Sequence, residues 1–416
     1  MKRAIVLSGG GARGSYQVGA WKALKKLHIK YSIVTGTSVG SLNGALMTQK
    51  TYLRGIWFWH NINFKHIFKD EVLSDYKTPE GKKAILKQYA KAILTDSGMA
   101  VTKLEDNIEK VLNEKKLRRS NIDFGLVTFN LSTLKPLMIK KENIPVGKIK
   151  DYLMASATCF PAFKKKQIGD DNYIDGGYYD NLPISLAIEM GAEEIIAIDL
   201  RTFGFKRHVK DKNIKITYIA PRNDLGSFLV FHQDLARRGI KLGYNDTMKT
   251  FDRLDGNIFT FKHNHLLRNF KRYGNSFKQT LDNFLQKKND IMAQLLKVTA
   301  YKKKIQVSDL NKIVESLGKI FKLDDSNIYD INKFNKMLIC KFDEIPTVDK
   351  KLVEAKIKNN DLKNLVNSKY VIKYIYDKLV IDNDPKTNKE LSGIALLLPH
   401  GLLEAIYLYV LKIKYK

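Results

Sequence analysis

Two glycine-rich turns stand within the first 40 residues, each where an apolar run would hand over from strand to helix. Gly9-Gly-Gly-Ala-Arg-Gly14 follows Ala4-Ile-Val-Leu-Ser8, and Gly36-Thr-Ser-Val-Gly40 follows Ser32-Ile-Val-Thr35. Beyond each turn apolar residues recur at helical spacing: Val18, Trp21, Leu24 and Leu27 after the first, Leu42, Ala45 and Leu46 after the second. The second turn fits Gly-x-Ser-x-Gly, in which flanking glycines let a serine sit on a tight strand-to-helix turn with its hydroxyl exposed. The first offers backbone N–H groups at a helix N-terminus, where negative charge is favoured. A nucleophile beside an oxyanion site points to acyl transfer.

Further β-rich runs lie at Ile122–Phe129, Pro136–Ile139, Glu194–Leu200 and Ile214–Ala220, the first two joined by a turn around Ser132-Thr133. Residues 53–120 read as helical or irregular. Strands alternating with helices predict an α/β fold with a largely parallel sheet. After about residue 280 glycine becomes scarce and the pattern turns helical, which divides the chain into a domain over 1–280 and a helical C-terminal region over 281–416.

The chain has 416 residues, enough for one large or two ordinary domains, and its 44% hydrophobic content describes a folded protein. Its formal net charge of +29 favours anionic partners, a membrane surface before nucleic acid, since no recognisable aromatic–basic binding module accompanies it. Cys159 and Cys340 form no C-x-x-C pair, so a reducing cytoplasm is the expected compartment. The apolar run at Ala4–Leu7 is too short for the core of a signal peptide. At the other end, Ile394–Leu398 and Leu402–Leu411 are apolar but separated by Pro399-His400-Gly401, which predicts a buried helix, with a monotopic membrane contact as the alternative. Nothing in the sequence specifies an oligomeric state.

Gly9-x-Gly11-x-x-Gly14 also satisfies a dinucleotide-binding fingerprint, but no Asp or Glu precedes Asp70, so the acidic ribose ligand about 20 residues on is missing. A phosphate-binding P-loop fails too, because Gly14 is followed by Ser15-Tyr16. A third stretch carries the argument further. Asp175-Gly176-Gly177 follows Asn172-Tyr-Ile174 and precedes Tyr178-Tyr-Asp-Asn-Leu-Pro183, and Ala155-Ser-Ala-Thr-Cys-Phe-Pro-Ala-Phe163 lies between it and the elbow.

These motifs in this order, from about Ala4 to Leu200, closely resemble the patatin-like phospholipase family of lipid acyl hydrolases. The resemblance implies a three-layer α/β/α fold with a mostly parallel central sheet and a Ser–Asp dyad. By motif position Ser38 is the nucleophile and Asp175 the base, in the elbow of Gly36, Thr37, Val39 and Gly40 and the dyad turn of Gly176 and Gly177. The turn Gly9, Gly10, Gly11, Ala12, Arg13 and Gly14 would form the oxyanion hole, with Ser8 where the family often has Asp. The expected substrate is a phospholipid or lysophospholipid, with no metal or other cofactor. A Ser-His-Asp triad drawing on His208 or His232 is the rival, Cys159 a weaker nucleophile, and a lipid-binding protein without activity the reading from another class.

Overall fold

A computed structural model describes residues 2–68, 76–96, 98–209, 211, 213–286, 306–346, 369–381 and 399–415. The chain divides into two compact units, Met1–Thr250 and Phe251–Lys416.

The first unit is built on one sheet. Its central strands are β1 (Arg3–Leu7), β2 (Ile33–Thr37), β3 (Asp123–Asn130) and, after β4 (Lys135–Lys140), β5 (Lys166–Ile168) and β6 (Asp171–Asp175), β7 (Glu194–Ile198) and β8 (Lys215–Ile219). The order is β5-β6-β3-β2-β1-β7-β8, with β4 also pairing β3. The β3–β2–β1–β7–β8 run is parallel, and the β3–β4, β3–β6 and β5–β6 pairs are antiparallel. Continuous apolar runs such as Ala4–Leu7 and Ile195–Ile198 are buried throughout, as parallel strands covered by helices on both faces require. Helices α1 (Ser15–Lys26) and α2 (Val39–Thr48) follow the two glycine turns; α3 (Tyr52–Asn61), α4 (Pro79–Asp96), α5 (Thr102–Val111) and α6 (Glu114–Arg118) fill the β2–β3 connection. Next come α7 (Ile149–Ser156), α8 (Ile184–Glu189) and α9 (Gln233–Thr250).

The second unit holds α10 (His265–Gln286), α11 (Val307–Ile320), α12 (Ile331–Asp343), α13 (Lys369–Ile381) and α14 (Pro399–Tyr415) around its own apolar core. It begins at Phe251, earlier than the change of texture near residue 280, because α10 starts at His265 and packs Tyr273, Phe277 and Leu281 into that core. Nor is it wholly helical: β9 (Leu254–Asp255), β10 (Thr260–Lys262) and β11 (Ile328–Tyr329) form a small sheet ordered β11-β10-β9. The apolar stretch of α14 is core. Leu402, Ile406, Tyr407, Leu408 and Leu411 are fully buried, and the Ser316 hydroxyl donates to the buried Glu404. Ile394–Leu398 lies outside the described residues. No described helix is long and apolar enough to cross a membrane.

Candidate active site

The parallel strands deliver their turns to one edge of the sheet. β1 ends into the glycine-rich turn and β2 into the serine turn, the position where open α/β sheets bind ligands. Register then sets the level of each group. Thr37 lies opposite Val127 and Thr128 opposite Asp175, so residue 38 and Asp175 emerge at the same height on either side of β3.

Ser38 sits between β2 and α2 with φ 56° and ψ −130°, a conformation that costs a non-glycine residue about 1–3 kcal/mol. The neighbours that hold it are visible. The Ser38 N–H donates to Ser156 Oγ at 2.9 Å, and Ser156 Oγ in turn donates to the Val127 carbonyl at 2.6 Å. The Ser38 carbonyl accepts from the Ser41 hydroxyl at 2.7 Å. Gly40 is required by close approach, since a Cβ there would lie 2.3 Å from the Leu7 carbonyl oxygen of β1. The elbow is thus clamped between β1, β3 and the C-terminal end of α7.

The glycine-rich turn is a short 3₁₀ segment, Gly11–Gly14, running into α1, with Gly11 at φ +51°. Its N–H groups are not equivalent. Gly9 donates to the Asn181 carbonyl at 3.0 Å and to Asn181 Oδ1 at 3.1 Å, Ala12 to the Phe228 carbonyl at 2.8 Å, and Arg13 to the Gly10 carbonyl at 3.1 Å. The N–H groups of Gly10 and Gly11 have no protein acceptor among the described residues, and both glycines line the cavity that holds Ser38. Of the turn Gly9–Gly14, Gly10 and Gly11 are the residues that combine a cavity-lining position with an N–H left without an acceptor among the described residues. Gly14 packs against Val39 and Trp59, where a Cβ would lie 2.4 Å from Val39 Cγ2. The Arg13 guanidinium is engaged structurally. It donates to the carbonyls of Gly226 at 2.8 Å and Arg201 at 3.2 Å, tying two loops to the turn. Ser8 keeps its own role, its hydroxyl accepting from the Leu200 N–H at 2.8 Å.

Asp175 ends β6 as the cap of the Gly176–Tyr178 turn, its Oδ1 accepting from the Gly177 N–H at 2.8 Å. Its own N–H donates to the Thr158 carbonyl at 2.8 Å. The Ser38 hydroxyl lies close enough to this carboxylate to lower its pKa, and both residues line one cavity. Burial raises the Asp175 carboxyl from 3.8 to about 6, against the opposing pull of Ser38 and of the Gly177 hydrogen bond. A carboxylate is thereby converted into a better proton acceptor near neutral pH.

Ser38 and Asp175 stand at the floor of a cavity of about 290 Å3. Away from them its wall is apolar: Leu46, Phe58, Ile67, Leu104, Ile108 and Phe231 are among the residues that close it. Beneath that wall a satisfied polar network fixes the helices. The Trp59 indole donates to Asn43 Oδ1 at 3.0 Å, and Asn43 Nδ2 donates to Gln17 Oε1 at 2.8 Å. The Gln17 amide then reaches the Ser8 carbonyl at 2.7 Å.

The rival groups lie elsewhere. Among the described residues no histidine lines this cavity. His208 is exposed, and His232 packs at a tilt against Tyr76, with its Nδ1 accepting from the Asp234 N–H at 3.1 Å. Cys159 does line it, but burial pushes its thiol up to about 12, which keeps it protonated. Three supporting residues had no role assigned from sequence: Ser156, Thr158 and Asn181. The first two lie in the Ala155–Phe163 stretch and brace Ser38 and Asp175. Asn181 binds the first glycine turn to the Asp175 turn, and the Thr202 hydroxyl donates to the Gly9 carbonyl at 2.7 Å from a third loop.

Residues 5–188 match the family model for patatin-like phospholipase. Patatin-like phospholipase domain-containing protein 6 of Homo sapiens is 27% identical over 214 residues, spanning 47% of this chain and 13% of that protein. Lysophospholipase nte1 of Aspergillus terreus is 28% identical over 201 residues, spanning 47% of this chain and 12% of its own length. The chain thus matches only a small part of these curated relatives. Among solved structures, VipD from Legionella pneumophila aligns over 99% of this chain and 91% of its own, at 14% identity and a TM-score of 0.34.

Proposed function

We propose that the patatin-like phospholipase domain carried on residues 5–188 hydrolyses fatty-acyl esters of phospholipids or lysophospholipids, with Ser38 as nucleophile and Asp175 as its base. The observation that carries this reading is that Ser38, on its strained turn, and the buried Asp175 line the same largely apolar cavity, near enough for the Ser38 hydroxyl to act on the Asp175 carboxyl. The wall suits an acyl chain, whose burial contributes about 0.8 kcal/mol per CH₂.

The reaction follows from the groups present. Ser38 Oγ adds to the ester carbonyl as its proton passes to Asp175. The oxyanion is received by the N–H groups of Gly10 and Gly11, each such donor being worth about 3–4 kcal/mol in the transition state. Asp175 returns the proton to the departing alcohol, leaving an acyl-Ser38. A water molecule gives its proton to Asp175 and attacks the acyl carbon, and the fatty acid leaves as Ser38 regains the proton. The base must be ionised, so kcat/KM should fall about tenfold per pH unit below pH 6 and level off above it. A profile flat from pH 5 to 8 on a soluble p-nitrophenyl ester contradicts this role for Asp175.

The dyad leaves no work for a histidine. His208→Ala and His232→Ala should each keep activity within about threefold of the parent, whereas a triad histidine is worth a thousandfold or more. A loss of that size in either variant restores the triad.

We also read the protein as cytoplasmic, with a peripheral contact to anionic membrane. Two facts support the contact: the net charge of +29, and Phe203 and Phe205, 92% and 69% exposed on a loop that lines the cavity. Each Lys or Arg near an anionic surface contributes about 1 kcal/mol, screened beyond about 10 Å at 0.1 M salt. Co-sedimentation with vesicles should rise with anionic lipid, fall with salt, and weaken when both phenylalanines become serine. Equal binding to neutral and anionic vesicles at every salt concentration removes the electrostatic part.

A further inference from the structure

A second cavity of about 750 Å3 lies in the first unit, lined by Thr48, Gln49, Lys50, Asn113, Lys115, Lys116, Arg119, Ser120 and Asn121. Four of these are cations and none is a carboxylate. The nearest acid in sequence, Glu114, is committed to Arg118 at 2.7 Å and to the Gly147 N–H at 2.8 Å. The side chains of Lys115, Lys116 and Arg119 have no hydrogen-bond or ion-pair partner among the described residues, and Lys50 Nζ reaches only Asn121 Oδ1 at 2.8 Å.

The hydrogen-bond inventory of the lining is one-sided. Its acceptors are taken: the Thr48 carbonyl by the Ser120 hydroxyl at 2.7 Å, Gln49 Oε1 by the Asn113 N–H at 2.6 Å, and Asn113 Oδ1 by the Lys116 N–H at 2.9 Å. Asn121 Oδ1 is taken by Lys50, as above. These bonds occupy the oxygens of both asparagine amides, and no acceptor for either NH₂ group is found among the described residues. What remains for a ligand is donors, four of them on positive side chains. Such a lining selects a compact anion rich in acceptor oxygens and carrying several negative charges. A single carboxylate would leave most of the cation charge unmatched.

We propose that this cavity binds a multiply phosphorylated anion, with Arg119 able to grip a phosphate through two parallel N–H bonds and the lysines acting as point charges. The chemistry is shared by a soluble polyphosphate ester and by a phosphorylated lipid headgroup. The place is distinct from the catalytic cavity. Ser38 precedes α2 and Thr48 ends it, so the helix separates the two by about 15 Å. The elements in between are common to both. Leu46 of α2 and Val111 of α5 line the catalytic cavity, while Gln49 and Asn113, a few residues on, line the basic one. The proposal does not depend on the hydrolytic reading.

The test uses the full chain and inositol hexakisphosphate in isothermal titration calorimetry. Saturable one-to-one binding is expected. The double variant Lys115→Gln/Arg119→Gln should weaken it by about tenfold or more, with an unchanged melting curve since both side chains are exposed. Lys83→Gln/Lys87→Gln on α4 removes the same charge from exposed positions elsewhere and should change affinity less than about twofold. Vesicles doped with phosphatidylinositol bisphosphate, compared with phosphatidylserine vesicles of equal charge, separate the two sources. Preferential capture that the hexakisphosphate competes away identifies a lipid headgroup. Hexakisphosphate binding without preferential capture identifies a soluble phosphate. No saturable binding, or equal losses in the two double variants, overturns the proposal.

Discussion

Ser38→Ala should leave a folded protein whose esterase activity has dropped to background, a loss of at least about 10⁴-fold on the scale of nucleophile deletions in serine hydrolases. The hydroxyl faces the cavity and supplies no packing, so the melting temperature should stay within a few degrees. One change besides activity is expected. The Ser38 hydroxyl is one of the two groups that pull the Asp175 carboxyl down, so without it that carboxyl should titrate above 6. The elbow itself should persist, because its restraints are backbone bonds from Ser38 to Ser156 and Ser41 that alanine keeps. A folded Ser38→Ala protein that still turns over ester contradicts the account.

Asp175→Asn should be nearly inactive and yet more stable than the parent at neutral pH. The buried carboxyl titrates near 6 in the folded chain against 3.8 ordinarily. Between those values the native state holds a proton that the unfolded chain has released. The stabilisation this gives is complete below about pH 4 and is lost as pH rises through 6. By pH 7 the ionised group therefore costs the fold about 3 kcal/mol relative to a neutral one. The amide oxygen of asparagine can still accept from the Gly177 N–H, so the turn is preserved. Urea denaturation at pH 8 should place the variant above the parent by up to about 3 kcal/mol, and at pH 4 the two should converge. Destabilisation at pH 8, or retained activity, would show that Asp175 is structural. The trade is familiar from sites kept strained for function.

Much of this site was legible because glycine requirements are local. A serine flanked by glycines after a strand points to a tight strand-to-helix turn, and the strand runs at Ala4–Ser8, Ser32–Thr35, Ile122–Phe129, Pro136–Ile139, Glu194–Leu200 and Ile214–Ala220 all overlap observed strands. Less legible were the interactions that sheet register creates between distant segments. The Phe228 carbonyl occupies the Ala12 N–H, and Asn181 occupies that of Gly9, while Gly10 and Gly11 keep theirs without an acceptor among the described residues. Nothing near residue 12 announces a partner at 228. Ser156 and Thr158 act through the Val127 carbonyl and the Asp175 N–H, which only the pairing of β2, β3 and β6 brings alongside. The strands described in the second unit have two or three residues each, too short for a period of two to register. The apolar C-terminal stretch had two readings in sequence, and burial of Leu402 through Leu411 within the second unit selects the core helix.

The central claim is that Ser38 is chemically activated by Asp175, and covalent labelling tests it most directly. A fluorophosphonate probe reacts with an activated serine and leaves ordinary serines untouched. Intact-mass and peptide-mapping analysis of the labelled full chain should find a single adduct, on the peptide that contains Ser38. It should be formed slowly below pH 6 and rapidly above it, and be absent from Asp175→Asn. A folded parent protein that takes up no probe, or an Asp175→Asn protein that labels at the parental rate, contradicts the account.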